Sequence, residues 1–156
     1  METHIYKTRL EWTGNRGKGT QSNKVYDRLF EIGVEGKQVI RGSSDPAFSG
    51  DAAKHNPEEM LLMALSSCHM LWFLHLCSIN EIIVEEYHDE ASAIMSEHAD
   101  GSGEFEEVTL RPSVGISSGD IELVSKLHTK ANKLCFIARS VNFPVNHEAT
   151  LQVISN

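Results

Sequence analysis

The chain holds three cysteines, Cys68, Cys77 and Cys135. An odd count without C-x-x-C spacing suits neither a secreted disulfide framework nor a structural zinc site, so any disulfide here is expected to be transient and chemical. A thiol reacts as its thiolate, and holding that charge needs a cation or a donor nearby. Arg28 is the natural candidate to supply it to Cys68, although an ordinary structural salt bridge would explain Arg28 as well. Cys77, in LHLC near the end of an apolar run, reads as an inert small hydrophobe. His69 with Cys68, or His75 with Cys77, could be drawn as metal pairs. Helical ligands share a face at spacings of three or four, and neither pair does, so no metal site is expected. A Cys–His hydrolase would need a histidine positioned by the fold, and the eight histidines offer no preference among themselves.

These residues must be positioned by recognisable elements. Residues 3–12 alternate in the period of a half-buried strand, TGNRGKG over 13–19 reads as a turn, and 23–32 predicts a second strand with Tyr26, Arg28, Phe30 and Ile32 on one face. VEGK turns into a short strand, 37–41, before a long polar loop to Asn56. Asn56 as N-cap, Pro57 at the first helical position and Glu58 and Glu59 against the dipole start a helix running to about Asn80. Its turns are apolar nearly all round, which predicts burial on most sides. Ser66, Ser67, Cys68, His69 and His75 interrupt the apolar run below the roughly 20 residues a membrane span needs. One chain of this size would struggle to cover such a helix, and a homodimer would supply the cover. Glu58 lies ten positions before Cys68, about 15 Å along a straight helix. The two can share a site only if the segment folds back or if Glu58 reaches a second subunit; otherwise Glu58 simply favours the helix dipole.

Residues 82–95 and 104–116 predict two long antiparallel strands joined by HADGSGE. Ser118 is placed to cap a helix over 119–133 with Ile121, Val124, Leu127, His128 and Ala131 on one face, and Cys135 follows at its end. Pro144 precedes a last strand near 148–154. The order βββ-α-ββ-α-β predicts an α+β fold with a central helix.

The 156 residues suit one domain over 1–156. Fourteen scattered Lys and Arg against 22 Asp and Glu leave a net charge of −8, which argues against nucleic acid as a partner. METHIYKTRLEW has no basic start or apolar run, so a cytoplasmic protein without a membrane role is expected.

Asn56-Pro57-Glu58-Glu59 with eight residues before Cys68, and a second cysteine in A-x-x-x-C, Ala131 to Cys135, ahead of a final strand, together resemble the OsmC and Ohr (organic hydroperoxide resistance) proteins. The resemblance covers most of the chain. It implies an OsmC-like intertwined homodimer with active sites at the subunit interface, acting as a thiol-dependent peroxidase on organic hydroperoxides. Cys68 would attack the peroxide and become a sulfenic acid, and Cys135 would condense with it to a disulfide. An arginine from the early strands, for which Arg28 is the choice and Arg16 and Arg41 the runners-up, would orient thiolate and peroxide together with Glu58. No bound cofactor is implied; the reductant would be a dithiol such as dihydrolipoamide on a lipoyl protein. Many members follow the second cysteine with Pro, where this chain has Phe136, and SSCHMLWFL looks like a less-characterised branch. The competing non-enzyme reading is a dimeric binding module of the same fold holding a small hydrophobic ligand, with incidental cysteines.

Overall fold

Asn56 opens the central helix in a computed structural model that describes residues 2–154. Its Oδ1 accepts the Glu59 N–H at 2.7 Å, and Glu59 Oε2 accepts the Asn56 N–H at 3.2 Å, a reciprocal capping box. The helix, α1, runs Pro57–Ile79. The chain divides into two compact units, one up to Leu61 and one from Leu62 onward.

The first unit holds a three-stranded antiparallel sheet of β1 (Arg9–Trp12), β2 (Phe30–Gly33) and β3 (Ile40–Gly42), in that order. All three are shorter than or displaced from the stretches the sequence predicts. β1 starts at Arg9 because Arg9 faces Gly33, after which the partner strand turns away through the Val34–Lys37 bend. The hairpin is also irregular beyond Trp12. Asn15 and Tyr26 form an isolated bridge, and at Gly14 a Cβ would lie 1.8 Å from the Asp27 carbonyl oxygen, so only glycine allows that approach. Arg28 therefore sits in irregular chain ahead of β2 rather than within a strand.

In the second unit each predicted long strand is broken once. β4 (Ile83–Asp89) and β5 (Ser92–Glu97) replace the first; β6 (Gly103–Leu110) and β7 (Pro112–Ser118) replace the second. The strand predicted near 148–154 is β9 (Thr150–Val153), and a short strand the sequence does not predict, β8 (Val145–His147), precedes it. The pieces sort into two sheets, β4-β7-β9 and β5-β6-β8. Pro112 explains one break, since it has no N–H for the ladder. Its neighbour Arg111 gathers the others: its N–H reaches Asp89 Oδ1 at 2.6 Å, Nη1 reaches Ser92 Oγ at 2.7 Å, and Nε pairs with Glu148 at 3.1 Å. One residue thus touches all three bends.

Helix α2 (Ile121–Leu134) is capped by Asp120, not Ser118: the Asp120 carboxylate accepts from the N–H groups of Glu122 and Leu123 at 2.9 and 3.3 Å. Val124, Leu127, His128 and Ala131 are buried as the spacing predicts, while Ile121 is exposed. They meet Phe73, Leu76 and Cys77 of α1 and Val114 and Ile116 of β7 in the core. By length and composition α1 could cross a membrane, but here Leu65, His69, Phe73, Leu76 and Cys77 form a buried packing stripe. Only that stripe is buried, against the expectation of burial on most sides. Leu71 remains 63% exposed and Met63 46%, because one layer can cover only one side of a helix.

Replacing Asn56 by Ala removes the cap and should lower the unfolding free energy by about 1 kcal/mol. Urea denaturation reads this directly, and a change below a few tenths would show that the box carries no stability.

Candidate functional site

Helical geometry advances about 100° per residue, so Cys68 and His69 leave α1 in different directions. Cys68 is half-buried and lines an open apolar groove of about 590 Å³, with Ala64, Leu71 and Trp72 of α1 and Phe136 and Ile137 from beyond α2. Phe136 meets Trp72 edge-on at one side of the groove, ring centres 5.6 Å apart.

Cys135 is the residue at which α2 ends, and its extended backbone (φ −61°, ψ 116°) turns the chain out of the helix. Its own N–H still bonds to the Ala131 carbonyl at 2.8 Å, while its carbonyl accepts from Arg139 at 3.0 Å. The sulfur accepts the Ala138 N–H at 3.4 Å, so backbone on both sides fixes its place. Cys135 is 1% exposed, and burial pushes its thiol up to about 11, helped by the Cys68 side chain beside it. At neutral pH Cys135 is thus a protonated thiol beside Cys68. Burial likewise raises Cys77 to about 11, and no disulfide links any of the three.

His69 points the other way, into the core, where it meets His128 of α2 and His147 of β8. His69 Nε2 and His128 Nδ1 are 3.1 Å apart, and His147 lies 5.8 and 6.0 Å from the two rings. The outer nitrogens, His69 Nδ1 and His128 Nε2, are buried without a partner. Burial, then the neighbouring His147, lowers His69 to about 4 against a smaller opposing pull from Asp89. Burial, then His69 and His147, lowers His128 to about 3. The sequence places His128 on the buried face of its helix, but no spacing pairs it with His69, 59 residues away.

Glu58 and Arg28 belong to the first unit, and Cys68 and Cys135 to the second. Helix α1 is unbroken, so Glu58 and Cys68 stand on different turns of it. One Glu58 carboxylate oxygen, Oε2, is buried without a hydrogen-bond partner. Arg28 lies over the Tyr26 ring, 4.5 Å from its centre, and donates to the Tyr26 carbonyl at 3.1 Å. Among the described residues it makes no ion pair, whereas Arg16 pairs with Asp27 and Arg41 with Glu31.

Comparison with known proteins follows the same outline. The OsmC-like protein family model matches residues 50–150. The uncharacterized protein YmaD of Bacillus subtilis is 26% identical over 98% of each chain. An OsmC-like protein of unknown function from Vibrio cholerae is 30% identical and superposes with a TM-score of 0.85 over 94% of this chain and 99% of that one. An organic hydroperoxide resistance protein from Elizabethkingia anophelis, 20% identical, covers 100% of both chains with a TM-score of 0.65.

The histidine pair makes stability depend on pH. Both groups take up protons below their ordinary 6.5 in the unfolded chain but only near 4 and 3 in the folded one. Their contribution is complete above 6.5 and is lost as pH falls toward 4. Urea unfolding between pH 6.5 and 4 should show a falling free energy, with a shallower slope in His128→Asn. Equal slopes in the two proteins would mean that His128 is not held neutral by the fold.

Proposed function

This chain belongs to the OsmC-like protein family, and from that membership we propose that it reduces organic hydroperoxides through Cys68 and Cys135. The observation that supports the reading is the buried Cys135 thiol beside Cys68, which itself lines an apolar groove. The Cys68 thiolate attacks a hydroperoxide oxygen; an S–O bond forms, the O–O bond breaks, and the alkoxide leaves as alcohol after taking a proton. Cys135 then gives up its proton and attacks the Cys68 sulfenic acid, forming the disulfide and releasing water. An external dithiol returns both sulfurs to thiols by exchange. The groove, lined by Leu71, Trp72 and Phe136, favours an organic tail on the substrate.

Arg28 and Glu58 complete the proposed machinery. A guanidinium steadies both the thiolate and the departing alkoxide, and Arg28 has no carboxylate partner among the described residues to neutralise it. Glu58 offers a partnerless carboxylate oxygen to hold such a cation. The exposed apolar side of α1 supports a homodimer in which a second copy covers Leu71 and Met63.

Stopped-flow mixing of reduced protein with cumene hydroperoxide tests the chemistry. Cys68→Ser should lose turnover to background, and Cys135→Ser should stop after one oxidation per chain. Wild-type protein that binds the hydroperoxide but consumes no thiol would instead be a binding module. Arg28→Lys keeps the charge but loses the planar fork, so oxidation of Cys68 should slow by about 10-fold or more; an unchanged rate would remove Arg28 from the machinery. Sedimentation should give twice the chain mass at micromolar concentration, and a stable folded monomer would refute the dimer.

A further inference from the structure

The buried histidines take no part in that chemistry, yet each sits on a helix that carries one of the reacting sulfurs. His69 follows Cys68 on α1. His128 lies seven residues before Cys135, about two turns, and so on the same side of α2. We propose that His69 and His128 are positioning residues whose hydrogen bond fixes the approach of the Cys68 and Cys135 sulfurs, an inference that rests on the disulfide step just described.

The geometry of the pair is that of a directional tie. The two imidazole planes differ by only 6°, and their centres are 5.4 Å apart, which is the 3.1 Å N···N contact extended by one ring radius at each end. The nitrogens therefore face each other head-on in one plane, as a linear N–H···N bond requires. A tetrahedral metal bound by both nitrogens would lie off the line joining them, whereas here each ring points along that line at the other, so the arrangement suits a hydrogen bond and not a metal. Phe73, one turn after His69, lies flat against His128 with ring centres 3.8 Å apart and planes within 9°. His128 is thus held in its plane by His69 and perpendicular to it by Phe73, both on α1. Any slide or rotation of α2 along α1 must break a buried hydrogen bond or that stack.

Apolar side chains would fill the same space without burying two imidazoles whose outer nitrogens stay unpartnered. What they would lack is direction. Disulfide formation needs that direction, because it tolerates only a narrow range of Cα separation and sulfur orientation. At the groove, the Trp72 contact with Phe136 adds a second tie from the turn after Cys68 to the residue after Cys135.

The equilibrium of the Cys68–Cys135 pair with dithiothreitol, read by alkylation and mass without any peroxide, tests the role. In His69→Leu and His128→Leu the effective concentration of one sulfur for the other should fall about tenfold. The paired replacement His69→Gln with His128→Asn, whose amides put polar atoms where the facing ring nitrogens were, should restore most of it. A purely structural loss destabilises reduced and oxidised forms alike and leaves this equilibrium unmoved, so unchanged values in folded leucine variants would overturn the proposal. Should the leucine variants fail to fold, imidazole ¹⁵N NMR of the wild-type chain decides. The bond must be present in both the reduced and the disulfide form, and its absence from the reduced form overturns the role. Wild-type protein that forms the disulfide but does not turn over peroxide would sink the peroxidase reading and leave the positioning role standing. Wild-type protein that forms no such disulfide would overturn both.

Discussion

Helix α1 can turn only one stripe toward its own unit's core, and that constraint governs the rest. The stripe Leu65, His69, Phe73, Leu76 follows the three- and four-residue spacing of a helix face and is fully used in packing. Cys68 precedes His69 by one residue and is therefore carried about 100° away, out of the core and into the groove. The same helix thereby gives an inward face that docks α2 and an outward face that presents a sulfur beside exposed apolar side chains.

Docking α2 brings Cys135 to Cys68. The last turn of α2 ends at Cys135, and the chain that follows bends back so that backbone N–H groups point at its sulfur. The buried thiol resists ionisation, which suits a group that acts second. The sheet edges need their own arrangement for this, and Arg111 supplies it by bonding at the bends near Asp89, Ser92 and Glu148.

Much of the architecture was legible in the residues. The capping signal at Asn56, the buried face of α2 and the antiparallel pairing across HADGSGE all follow from local chemistry that neighbours within a few residues enforce. The breaks in the long strands were less legible. Pro112 is visible, but that Arg111, in its own bend, would bond at the other two depends on residues 19 to 37 positions away. Asp120 displaced Ser118 as cap because Gly119, with φ 121°, lets the chain turn later than the first available hydroxyl.

By itself the sequence determined where helix and strand segments alternate, though not where the strands break, together with the thiol chemistry available and the family those spacings resemble, since periodicity, caps and residue types are properties of short stretches. Only the tertiary structure decided that Cys68 and Cys135 lie near each other, that His69 and His128 meet head-on in the core, and that one side of α1 stays uncovered within the chain. Those are contacts between residues more than fifty positions apart, and only the packing of one element on another fixes them.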